Sequence, residues 1–196
     1  GLGDVYKRQV YHHCELTYSV TAPADTWGSL RDTYCRINRA LAAGLAELGA
    51  PVACAGDTAL GARAPRPAAR ACFRDPLPGE VTARGRKLVG SAQWRDGGAL
   101  LQHGSLLLVD EQSVADELRI DAPRASPSAS GETGAIALAD LLLEPPAPVD
   151  LVAALVGGFE RELGRPLRRG RLSPSEAAAA AGLEARYADP EWTWRR

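Results

Sequence analysis

Between Gly79 and Val109 the chain sets two tight-turn signals inside one nearly continuous run of strand-forming residues. Asp96-Gly97-Gly98 supplies residues that tolerate positive φ, as a two-residue hairpin turn requires. Arg84-Gly85 marks a second reversal. The spacing predicts strands over residues 79–83, 87–94 and 99–109, joined as a three-stranded antiparallel meander. The last strand is almost wholly apolar in its second half, through Leu106-Leu107-Leu108, and is therefore expected to be central.

The flanking sequence supplies helices. Residues 14–20 alternate well enough for a further strand. From Trp27 to Leu48 the residues Leu30, Tyr34, Ile37, Leu41, Leu45 and Leu48 fall in steps of three and four, one stripe on one helix face. Gly49 and Pro51 end that helix, and residues 52–55 read as a short buried strand. Residues 56–70, rich in Ala, Arg, Gly and Pro, and residues 122–134, rich in Pro, Ser and Gly, read as loops. Residues 135–143 are apolar, with no periodicity that selects a type. A helix is expected over 150–163. Another starts at Ser173-Pro174-Ser175-Glu176, a capping box with proline at the first position, and is expected to close at Gly182. Antiparallel strands flanked by helices predict an α+β domain.

Composition bounds the function. The 196 residues are 45% hydrophobic with a net charge of −1, enough for one core and no global attraction to nucleic acid or anionic membrane. No apolar run approaches the ~18–20 residues of a membrane span. Cys14, Cys35, Cys54 and Cys72 form no CxxC pair and no zinc spacing, so no metal site is expected. Four thiols predict a reducing, cytoplasmic setting, with Cys35 and Cys54 serving as small hydrophobes. The chain contains no methionine. Residues 1–9, Gly-Leu-Gly-Asp-Val-Tyr-Lys-Arg-Gln, match what a common transposase-based sequencing adapter encodes, and lack the h-region of a signal peptide. They are expected to be an artefact, with residues 10–196 forming one domain that is incomplete at its N-terminus.

Two stretches carry a resemblance. One is Gly85-Arg86-Lys87-Leu88-Val89-Gly90-Ser91-Ala92-Gln93 followed by Leu101-Gln102-His103-Gly104-Ser105. The other is Val10-Tyr11-His12-His13-Cys14-Glu15-Leu16-Thr17-Tyr18-Ser19. Both resemble the lipoate–protein ligase A and octanoyltransferase family, which shares its catalytic fold with biotin–protein ligases. The closing segment, from Leu172-Ser173 to Glu191-Trp192, is also similar. The Arg-Arg-x-x-Gly-Gly loop that precedes the histidine in that family is not found here. The resemblance thus implies a biotin/lipoate protein ligase-like catalytic domain without its first part.

Within that family two chemistries reach the same acylated lysine. A ligase activates free acid with ATP and Mg. An acyltransferase takes octanoyl from acyl carrier protein through an enzyme cysteine and needs no cofactor. In the cysteine-dependent members a Cys-Phe pair precedes the Gly-Arg-Lys motif and carries the acyl thioester. The resemblance therefore assigns Cys72 of Cys72-Phe73 as nucleophile, with Lys87 stabilising its thiolate. In a ligase Lys87 would contact the adenylate instead.

Gly90, Ser91 and Ala92 are small residues that would leave room for an acyl channel or serve close sheet–helix packing; both readings stand. His12 matches the family histidine near the acyl group. His12 and His13, if on a strand, face opposite sides, and neither has metal-ligand partners in sequence. His103, beside Gly104, reads as a substrate-side residue or a hydrogen-bonded structural one. The implied activity is octanoyl transfer from acyl carrier protein to glycine-cleavage H protein or a lipoyl domain. ATP-dependent lipoate ligation and a non-catalytic carrier-binding homologue are the alternatives. A monomer is expected, with neither nucleic acid nor membrane as partner.

Overall fold

The computed structural model describes residues 11–56, 73, 76–114 and 134–193. The chain divides into two compact units, residues 1–165 and 166–196. The first contains strands β1 (Glu15–Pro23), β2 (Val52–Cys54), β3 (Val81–Ala83), β4 (Arg86–Lys87), β5 (Val89–Asp96) and β6 (Ala99–Leu107). It also contains helices α1 (Leu30–Glu47) and α2 (Pro148–Leu163), and a 3-10 turn at Leu138–Asp140. This is the α+β arrangement expected.

The strands form two antiparallel three-stranded sheets, ordered β1-β6-β5 and β2-β3-β4, in place of the single meander predicted. Leu88 is where they part. Its N–H donates to Val81 of β3 and its carbonyl accepts from Leu107 after the crossing to β6. One residue bonds to both sheets, so the run from 86 to 96 cannot stay in one. The β5–β6 hairpin is as predicted: Asp96 pairs with Ala99, and Gly97 and Gly98 both have positive φ, 55° and 80°. Strand β6 lies between β1 and β5, the central position its apolar second half called for.

Helix α1 starts at Ser29, whose hydroxyl accepts from Asp32 N–H while the Asp32 carboxylate accepts from Ser29 N–H. That hydroxyl and backbone amide hold the Asp32 carboxyl below its usual range. The helix buries Ile37, Leu41 and Leu45 against Val81, Leu88, Val89, Leu106, Ile136 and Leu138, with Leu151 and Leu155 of α2 in the same core. The two helices meet backbone to backbone. A Cβ on Gly44 would lie 2.6 Å from the Ala154 carbonyl oxygen, and one on Gly158 2.2 Å from that of Ala40.

The second unit holds α3 (Pro174–Ala188) and the one-turn α4 (Pro190–Thr193). Helix α3 begins in the predicted capping box at Ser173 and Glu176 but runs through Gly182. Five consecutive alanines before that glycine, at 177–181, offset its ~1 kcal/mol propensity cost, and the helix stops only ahead of Pro190. Tyr187 and Trp192 meet edge to face at 4.9 Å.

Candidate active site

Lys87 ends β4, and its backbone is fixed on both sides. It pairs with Thr82 of β3, donates to Gly134 and accepts from Ile136. Its side chain is 3% exposed, and Nζ lies 2.6 Å from Oε1 of Glu80, itself 2% exposed. Glu80 is tied in turn: Oε2 accepts from Leu77 N–H at 2.8 Å. The Tyr34 hydroxyl stands 3.3 Å from Oε1 and 3.4 Å from the Ser91 carbonyl, sharing one proton between them. Burial, then the Glu80 charge, drives the Tyr34 phenol far above its ordinary range. Such a buried ion pair persists only where hydrogen bonds complete it, as they do here.

Phe73 closes the other side of Lys87. Its ring centroid is 5.4 Å from Nζ, a cation–π distance, and the ring is buried with Leu107, Ala135 and Ala137. Gly90 makes this possible, since a Cβ there would sit 2.8 Å from Phe73 Cζ. Space at position 90 is thus taken up by the chain's own phenylalanine. Cys72, bonded to Phe73, lies outside the described residues.

Below the β1-β6-β5 sheet runs a polar network that sequence reading missed. Asn38 of α1 donates to Gly79 O at 2.7 Å, and its Oδ1 accepts from Ser91 Oγ and Gln102 Nε2, both at 3.2 Å. Gln102 also donates to the Tyr18 hydroxyl, which is 2.6 Å from Ser91 Oγ. Burial raises the Tyr18 phenol, and the hydrogen bonds from Gln102 and Ser91 partly oppose it. Gly104 admits the Tyr18 ring: a Cβ there would meet Tyr18 Cε1 at 2.8 Å. Through Tyr34, this network reaches Glu80 and so Lys87.

The remaining sequence candidates divide by face. Ser91 points into the network, while Ala92 and His103 pair with each other across β5 and β6 and are exposed. His12 and His13 precede β1, so the strand alternation expected of them does not apply, and both are exposed. His12 Nδ1 lies 2.7 Å from Glu15 Oε1, which also accepts from Ser105 Oγ at 3.0 Å. Ser105 pairs with Gly90, so His12, Glu15, Ser105, Gly90, Phe73 and Lys87 form one contiguous track. The other Glu15 oxygen is buried without a hydrogen-bond partner. His13 is bonded to Glu111 and has ligand-type neighbours after all.

The lipoyl protein ligase A/B catalytic domain model matches residues 8–160. The chain belongs to that family. Among relatives, this lipoyl ligase-family chain is 37% identical over 201 residues to octanoyltransferase LipM of Symbiobacterium thermophilum, covering 96% of this chain and 71% of the relative. It is 38% identical to octanoyltransferase LipM of Moorella thermoacetica over 206 residues, 100% of this chain and 75% of that one. Its fold matches the solved bipartite lipoate protein ligase of Thermoplasma acidophilum with a TM-score of 0.68 at 20% identity, over 93% of this chain and 65% of the other. The chain thus spans just under two thirds of that solved protein.

Of the residues gathered around the buried ion pair, Lys87 was legible from Gly-Arg-Lys. Glu80 was not, because a lone carboxylate at a strand's start carries no periodic signal. Tyr34 was counted on the apolar stripe of α1, and its hydroxyl was overlooked. Among the described residues no helix is long and apolar enough to cross a membrane.

Proposed function

We propose that this lipoyl ligase-family protein is an octanoyltransferase that moves octanoyl from acyl carrier protein, through Cys72, to a lysine on a lipoyl-carrying domain. The Cys72 thiolate attacks the donor thioester carbonyl, the carrier leaves as thiolate and takes a proton from solvent, and octanoyl-S-Cys72 forms. The neutral ε-amine of the acceptor lysine then attacks that thioester. The amide forms, Cys72 leaves as thiolate, and the amine proton passes to solvent. The thioester carries the activation, so neither nucleotide nor metal is needed for the step. The acceptor is a glycine-cleavage H protein or a lipoyl domain of a 2-oxoacid dehydrogenase.

One observation carries the choice of mechanism: Phe73, the residue bonded to Cys72, is buried with its ring 5.4 Å from Lys87 Nζ. Lys87 is thus a fixed cation beside the residue that follows Cys72 in the chain, and a thiolate brought near it would be favoured and the carbonyl under attack polarised. Names of the relatives support the acyl group, as both are octanoyltransferases. Incubation with octanoyl-acyl carrier protein should leave one octanoyl adduct on Cys72 by mass spectrometry, absent in Cys72→Ser. ATP-dependent transfer of free lipoate without any adduct would replace this reaction with ligation.

A further inference from the structure

We propose that His13, Cys14 and Glu111 form a zinc site at the entry to β1, separate from the acyl-transfer residues. A ring nitrogen of His13, Sγ of Cys14 and a carboxylate oxygen of Glu111 all lie within 4.8 Å of one another. Tetrahedral zinc, with bonds of about 2.0–2.3 Å, holds its ligands about 3.3–3.8 Å apart. The three atoms already lie near that spacing. All three residues are at least partly exposed, so an ion can reach them, and Cys14 is a free thiol.

The donors come from two segments whose backbones are fastened by bonds outside the ligand set. The Cys14 carbonyl accepts from Leu108 N–H at 2.9 Å and from Val109 N–H at 3.2 Å. Gln112 Oε1 accepts from Tyr11 N–H, and Gln112 Nε2 donates to Tyr11 O at 2.8 Å. The ligand-bearing stretches 11–14 and 109–112 are therefore held side by side before any ion arrives. A preformed site reduces the ordering cost of binding. Thiolate, imidazole and carboxylate together suit zinc over calcium or magnesium, which take oxygen donors alone. Three protein ligands leave the fourth position to water, and coordination releases the Cys14 proton to solvent. Bound zinc would clamp the segment carrying His12 to the end of β6.

Titration of the purified chain with zinc against a chromophoric chelator should give one equivalent bound. Cobalt in its place should show a sulfur-to-metal charge-transfer band. Cys14→Ser should abolish that band, and His13→Ala and Glu111→Ala should each weaken binding by at least about tenfold. All three are surface changes, and an unchanged thermal transition without metal would show that the variants fold. Cys72→Ser should bind zinc like the parent, which separates this site from the acyl-transfer thiol. Failure to bind zinc at micromolar concentration would reduce the cluster to a surface ion pair. Binding that survives in all three variants would place the ion elsewhere. Either result overturns the proposal.

Discussion

Lys87 can be buried because Glu80 is buried with it. With one partner removed, the other charge is stranded, at a cost of roughly 3–5 kcal/mol, while replacing both with apolar residues of similar volume is often neutral. Glu80→Gln should therefore lower stability by about that amount in urea denaturation at neutral pH. Glu80→Met combined with Lys87→Met should recover most of the loss and still fail to form an octanoyl adduct. A double variant that acylates normally would remove Lys87 from the mechanism. At this scale the sequence disclosed the residue whose neighbours in the chain form a motif. Asn38, Gln102 and Tyr18 stayed hidden because their partners in the network are 41 to 84 positions away, and only the fold pairs them.

The elements themselves were largely readable, since turns and caps are local chemistry. Gly97-Gly98 and Ser173 each specify a conformation within four residues. What failed was the partition of strands, decided at Leu88 by the direction of two hydrogen bonds to distant strands. The α1–α2 contact was equally unreadable, because a glycine needed for close approach looks the same as a tolerated one. Adjacent positions on α2 make the difference measurable. Gly158→Val drives side-chain atoms into the Ala40 and Gly44 backbone and should cost roughly 1–3 kcal/mol or more. Gly157→Ala meets only the ends of flexible side chains, the Glu47 carboxylate at 3.3 Å and Arg161 Nη1 at 3.6 Å, and should gain up to about 1 kcal/mol from helix propensity. Equal effects of the two, read from urea midpoints, would mean that the helices do not touch as described.

For the whole molecule, the half-buried phenols of Tyr18 and Tyr34 couple the network to global stability. Tyr18 and Tyr34 both have folded-state pKa values above the unfolded value of 10.0. Their contribution is complete below pH 10 and is lost as the pH rises beyond it, since the unfolded chain ionises first. Of the five tyrosines, these two should form phenolate only together with the loss of far-UV circular dichroism. Ionisation of all five in a folded chain near pH 10.0 would contradict the burial of the network. The α+β class and the family were legible from motifs, but the continuity of the site was not. Its track from His12 to Lys87 depends on register between β5 and β6, which a single sequence does not display.

The Arg84-Gly85 turn has a kinetic consequence. Glu80, just before β3, and Lys87 on β4 are seven residues apart, and this turn folds the two strands together. A contact so short in sequence closes early, at low loop-entropy cost. The two charges would then meet while water still surrounds them and enter the interior as a neutral pair. The lysine that we propose assists acyl transfer would never be dehydrated alone.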